Sequence, residues 1–176
     1  MRRPTAAAGS ALFFALAPGV VAGFVPWSLT RSQVRGPLAH WAAVRITGLI
    51  LLALGAMVLI QAFVRFVEEG RGTPAPVAPT ERLVIGGLYR YVRNPMYLAV
   101  LAAIIGQALA LGQAGLLLYG AVVWVVVASF VRWYEEPTLA DQFGAKYEAY
   151  RRSVPAWWPR IRRRGASPSH TPAGRR

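Results

Sequence analysis

The stretch YLAVLAAIIGQALALGQAGLLLYGAVVWVVVASFVRWY, Tyr97 to Tyr134, decides how the rest of the chain is read. It holds most of two long apolar runs, Met96 to Leu111 and Leu116 to Val131, joined only by Gly112-Gln113-Ala114-Gly115. A connection this short makes its two helices antiparallel neighbours, so a tight helical hairpin is predicted. The chemistry lies at its feet. Gly87-Leu88-Tyr89-Arg90-Tyr91-Val92-Arg93-Asn94-Pro95-Met96 precedes it, and Glu135-Glu136-Pro137 follows. If the hairpin crosses a bilayer and returns, Arg93, Asn94, Glu135 and Glu136 meet at one membrane surface. Polar and ionisable groups there are costly unless paired or used, so the feet form the candidate site.

Composition favours the bilayer. The 176 residues are 55% apolar and 15% charged, whereas soluble domains average about 25% charged. Mean hydropathy is +0.38. The net charge of +13 could suggest a nucleic-acid partner. Its distribution argues otherwise: basic residues avoid the apolar runs and collect at their ends and in the tail, with no RNA- or DNA-reading motif among them. The absence of cysteine excludes disulfides, thiolate metal sites and a cysteine nucleophile. His40 and His170 have no partners spaced for a metal site.

Four runs approach the roughly 20 residues that a membrane span needs. They are Ala6 to Val25, Ile46 to Val67, Met96 to Leu111 and Leu116 to Val131. Gly48 and Gly55 in the second allow close helix packing. The third reaches only about 24 Å at 1.5 Å per residue, so it either starts before Pro95 or sits in a thin region. Arg2 and Arg3 before the first run fit a secretory signal or an uncleaved anchor. Phe24, Pro26 and Trp27 follow it without a small-residue cleavage site, which favours the anchor. With the N-terminus inside, only Arg31, Arg35 and Arg45 fall outside, and the positive-inside rule is met. The expected fold is all-α: an integral membrane bundle of about four transmembrane helices, both termini cytoplasmic. Residues 1–160 are expected to form one domain.

On the inner side, Glu68 to Thr80 reads as a Gly/Pro-rich loop. Pro137 suits the first turn of a new helix. Leu139, Phe143, Tyr147 and Tyr150 recur at intervals of four, four and three, predicting an amphipathic cytosolic helix from Pro137 to Arg152. Trp157-Trp158 reads as an interfacial anchor. Residues 161–176 form a basic tail expected to be disordered and to attract anionic lipid headgroups.

Soluble-enzyme signatures such as the P-loop, GxSxG and HExxH are missing. Two adjacent glutamates can simply mark the headgroup region, and Arg90 and Arg93 can be ordinary inside anchors. Two details favour a site. Glutamates at a helix C-terminus oppose the macrodipole and need a compensating cation. Tyr89, Tyr91, Tyr97 and Tyr134 crowd the same level, suited to a pocket with an apolar wall and a polar rim.

These residues also carry a resemblance. GTPAP (Gly72 to Pro76), LVIGGLYRYVRNPMYL (Leu83 to Leu98), YEEP (Tyr134 to Pro137), FGAKYEAYRRSVP (Phe143 to Pro155) and WWPR resemble the membrane methyltransferase family that unites isoprenylcysteine carboxyl methyltransferases with phospholipid N-methyltransferases. This chain looks like a bacterial-type member, matching over about residues 70 to 160. The resemblance implies an inner-membrane enzyme that binds S-adenosylmethionine at the cytosolic feet of the last two helices and releases S-adenosylhomocysteine. A lipophilic or lipid acceptor would enter from the bilayer. It implies cofactor contacts from Tyr89, Arg93, Asn94, Pro95, Tyr97, Glu135, Glu136 and Tyr147, with Arg93, Glu136 and Arg151 as catalytic candidates. Asn94 stands where the carboxyl methyltransferases commonly have histidine, and asparagine cannot titrate. The alternative is a non-enzymatic scaffold or small-molecule carrier that keeps the fold.

Overall fold

The computed structural model describes residues 17–35, 41–70 and 83–158. Most of the first apolar run, His40, the loop from residue 71 and the basic tail lie outside the described residues. What is described is helical, with no strand among it. The helices are α1 (Val25–Thr30), α2 (Ala42–Gly70), α3 (Pro95–Leu111), α4 (Ala114–Phe130), α5 (Glu136–Phe143) and α6 (Ala145–Ser153).

Two π-helical turns interrupt the regular ladder, Val20–Phe24 before α1 and Val131–Glu135 between α4 and α5. Each is followed by a proline, Pro26 or Pro137, two residues past its end. Proline has no N–H to give the carbonyl four residues back, and its ring crowds that carbonyl. Widening the preceding turn relieves the conflict. At the first turn the freed carbonyls find other donors: Gln107 Nε2 reaches Ala22 O at 2.6 Å and the Tyr119 hydroxyl reaches Val21 O at 2.9 Å.

The most extensive helix pairing is α2 on α3, ahead of the α3–α4 hairpin. Small residues explain it. A Cβ on Gly48 would lie 2.5 Å from Ala110 N, and one on Gly106 would lie 2.6 Å from Leu52 N. Ala99, Val100 and Ile104 of α3 meet Leu59 of α2 in the core, with Val21, Tyr119 and Val123 packed around them. The hairpin turns at Gly112, whose φ of +66 closes α3 in the left-handed region. Arg35 N–H bonds Leu111 O at 2.8 Å, and Gln113 Nε2 bonds Gln33 O at 2.8 Å.

Ala42–Ala62 and Ala114–Phe143 are long and apolar enough to cross a membrane. Their outer faces leave Leu49, Ile50, Leu54 and Met57, and Leu118, Val122, Val125 and Val126, exposed. Apolar surface of that extent suits hydrocarbon rather than water. The third run starts at Pro95 and is a short helix of 17 residues.

Three boundaries differ from the sequence expectation. Glu68, Glu69 and Gly70 belong to α2, because the glutamates are good helix formers that carry the ladder on. Pro137 falls in the first turn of α5 as expected, but no break precedes that helix: α4 passes through the π turn directly into α5. The glutamate pair therefore stands inside a continuous helix, where the macrodipole penalty expected of a helix end does not apply. The expected Pro137–Arg152 helix is instead broken at Gly144 (φ +52, ψ −127), giving α5 and α6.

Candidate active site

Four segments converge at the feet of the hairpin. Gly87, with φ +54, opens a short 3-10 turn, Gly87–Arg90, that buries Tyr89 and leaves Arg90 and Tyr91 outside. Arg93 and Asn94 follow, and Pro95 begins α3 in the position where a missing N–H costs nothing. Across from them the π turn delivers Glu135 and Glu136 on successive residues, and α6 returns Tyr147 and Tyr150 over both.

Arg93 is the hub. Its Nη1 donates to Glu136 Oε1 at 2.7 Å and to the Tyr147 hydroxyl at 3.0 Å. Only 11% of the Arg93 side chain and 12% of the Glu136 side chain are exposed. Burial, rather than a helix end, is what makes a compensating cation necessary here, and Arg93 supplies it across the hairpin. Arg132 approaches the other Glu136 oxygen at 4.0 Å from an exposed position. Glu135 is held differently: the Tyr97 hydroxyl donates to its Oε2 at 3.0 Å. No cation pairs with it among the described residues. The two neighbouring carboxylates thus have unlike partners, a guanidinium and a phenol.

Tyr150 donates its hydroxyl to Tyr89 O at 2.7 Å. Burial raises the Tyr147 and Tyr150 phenols above their ordinary range, so both stay protonated at neutral pH. Asn94 Nδ2 donates to Ala156 O at 3.2 Å, a contact across 62 positions. One donor is left over: Arg93 Nε is buried and has no acceptor among the described residues.

Two cavities meet at these side chains. A smaller one of about 90 Å³ is lined by Arg93, Glu135, Glu136, Leu139, Tyr147 and Tyr150 among others. A larger one of about 260 Å³ runs into the apolar bundle between Pro18, Val21, Leu59, Val100, Val123 and Val127. Tyr89, Arg93, Asn94 and Glu135 line both. The arrangement joins a polar, charged compartment to an apolar one.

The family described as phospholipid methyltransferase matches residues 43–146. The chain belongs to this family. The matched residues run from the start of α2 into α6 and include Arg93, Glu135 and Glu136. The chain is also similar to the protein-S-isoprenylcysteine O-methyltransferase of Schizosaccharomyces pombe, 36% identical over 80 residues, or 45% of this chain and 34% of that protein. The match thus spans about a third of the length of that curated relative.

Of the residues singled out from sequence, Tyr89, Arg93, Asn94, Pro95, Tyr97, Glu135, Glu136 and Tyr147 gather around the two cavities. Arg151 does not join them. It is exposed and pairs with Glu148 of its own helix at 3.5 Å. The apolar lining from α1's approach, α2 and α4 escaped sequence reading, because nothing separates a cavity-facing valine from a packed one. The same holds for the chain after α6. Trp157, read as an interfacial anchor, packs edge-on against Trp124 with centroids 4.6 Å apart; Trp158 is exposed.

Proposed function

We propose that the protein transfers a methyl group from S-adenosylmethionine to a lipophilic acceptor at the cytosolic face of a membrane that it crosses four times, with both termini inside. One arrangement carries this: a buried Arg93–Glu136–Tyr147 cluster with an unspent Arg93 Nε, standing where a polar cavity opens into an apolar one. Membership of the family supports it.

The residues fit the cofactor by charge. The ionisable side chains lining the cavities, apart from the tyrosines, are one guanidinium and two carboxylates. S-adenosylmethionine carries a sulfonium, an ammonium and one carboxylate, the opposite balance, and such attraction strengthens away from water. Arg93 Nε would take the cofactor carboxylate, and Glu135 or Glu136 the ammonium or ribose hydroxyls, by charge-assisted hydrogen bonds. Tyr89 and Tyr97 supply aromatic faces that favour a sulfonium. Pro95 fixes the start of α3, so that Asn94 and Tyr97 keep their places. Tyr147 roofs the polar compartment.

When bound, the cofactor supplies an electrophilic methyl, so the protein's work is positioning and exclusion of water. The apolar cavity between Leu59, Val100, Val123 and Val127 would hold the chain of the acceptor and leave its reacting head beside Glu135. Glu135, without a paired cation, is the group able to accept a proton from an ammonium acceptor. The basic residues beyond position 160 would hold the inner face to anionic headgroups.

Purified protein in detergent, given labelled cofactor and extracted membrane lipids, should yield a labelled lipophilic product identifiable by mass. It should also bind S-adenosylhomocysteine saturably. Failure of both would leave the non-enzymatic scaffold as the better reading.

A further inference from the structure

The chain after α6 does more than end the domain. At Val154 the backbone becomes extended (φ −123, ψ 125), and the segment 154–158 crosses the foot of α3 as a strap. Pro155 O accepts the Arg93 N–H at 2.9 Å, Ala156 O accepts Asn94 Nδ2 at 3.2 Å, and Trp157 seats against Trp124. The strap continues directly from the helix whose Tyr147 and Tyr150 roof the polar cavity. It thereby ties that roof to α3 and α4 at once.

Asn94 occupies the N-cap of α3. Asparagine there ordinarily turns its side-chain oxygen onto the first free N–H groups of the helix. This one makes no such cap bond. It is 7% exposed, and its amide goes to the strap instead.

Size makes the strap matter. Small-molecule sites hold about 300–1,000 Å³, whereas the polar cavity under α6 is about 90 Å³ and the apolar one about 260 Å³. The polar cavity alone is too small for a nucleoside-sized cofactor, so the position of α6, which roofs it, sets how much of such a ligand it admits.

We propose that Asn94 is a positioning residue: its carboxamide N–H fastens the 154–158 strap, so that α6 closes with Tyr147 on Arg93 and Tyr150 on Tyr89. This rests on the cofactor reading given above. What the position requires is an N–H donor towards a carbonyl. Asn94→Asp offers an acceptor that repels Ala156 O, Asn94→Leu offers nothing, and Asn94→His restores an N–H at similar reach.

The test uses the full chain in detergent, with hydrogen exchange read over residues 145–158 without ligand and S-adenosylhomocysteine binding read by calorimetry. Asn94→Asp and Asn94→Leu should speed exchange in 145–158 and weaken binding about tenfold, the loss of roughly one hydrogen bond to a fixed partner. Asn94→His should recover both to within about threefold of the parent protein, since about 0.6 kcal/mol separates such affinities. Unchanged exchange in the Asp and Leu variants would overturn the proposal; with weakened binding it would make Asn94 a direct ligand contact. If the parent protein binds no S-adenosylhomocysteine, the cofactor reading fails while the exchange comparison still decides whether Asn94 holds the strap.

Discussion

The two π turns are the same backbone device put to different ends. Each precedes a proline by two residues, and each widens to escape that proline's missing N–H. At Val20–Phe24 the disturbance is closed off: Gln107 and Tyr119 cap the freed carbonyls from neighbouring helices. At Val131–Glu135 the side chains of Glu135 and Glu136 turn inward and meet Tyr97 and Arg93. One irregularity is absorbed into packing and the other supplies a site. π turns are frequent at functional sites, but the geometry alone does not make one; the difference lies in what faces the turn.

The sharpest way to test that contrast is to remove one member of the Arg93–Glu136 pair. Breaking a buried pair costs about 3–5 kcal/mol. Arg93→Ala or Glu136→Ala should lower methyl transfer and S-adenosylhomocysteine affinity by about a hundredfold or more, read by calorimetry in detergent. The isosteric Glu136→Gln should keep the fold by circular dichroism yet lose most of the activity. Retained cofactor binding in all three would remove Arg93 from the centre of the site.

Pro137→Ala restores an N–H and lets the regular ladder close, which would rotate the glutamates relative to α3. Cofactor affinity should fall about three- to tenfold, a loss of about 0.7–1.4 kcal/mol. The matching Pro26→Ala should change the melting temperature but not binding. Equal effects on binding at the two prolines would erase the contrast drawn between the turns.

Gln107→Leu and Tyr119→Phe strip the caps of the first turn. Each should cost about 1 kcal/mol of stability, seen as a lower melting temperature, with cofactor affinity unaltered. The smallest effect belongs to Arg151→Ala. Its partner Glu148 is on the surface, and such pairs contribute about 0–1 kcal/mol, so turnover should stay within about twofold. A large loss would mean that Arg151 swings inward during the reaction.

How much of this was legible in the chain depends on range. The hairpin could be read because a four-residue connection between apolar runs leaves two helices little choice of arrangement. Glycines at positions 48 and 55 foretold a close contact, and α3 is the helix that meets them. The convergence of Arg93 with Glu135 and Glu136 followed from the hairpin itself. Pro137 does fall in the first turn of α5, as local rules say, but those rules could not foresee a π turn that carries the chain from α4 into α5 without a break. Arg151 sits three residues from Glu148, and sequence alone could not say that it would pair there rather than reach the cavity.

By itself, then, the sequence determined the apolar segments, their hairpin order and the identity of the charged groups at its feet, because periodicity and connection length act locally. Only the tertiary structure decided the pairing. It gave Arg93 to Glu136 and Tyr97 to Glu135, sent the Asn94 amide to a strap 62 residues away, and opened an apolar cavity beside them. Those outcomes depend on which of several possible partners the packing of the whole bundle brings within about 3 Å.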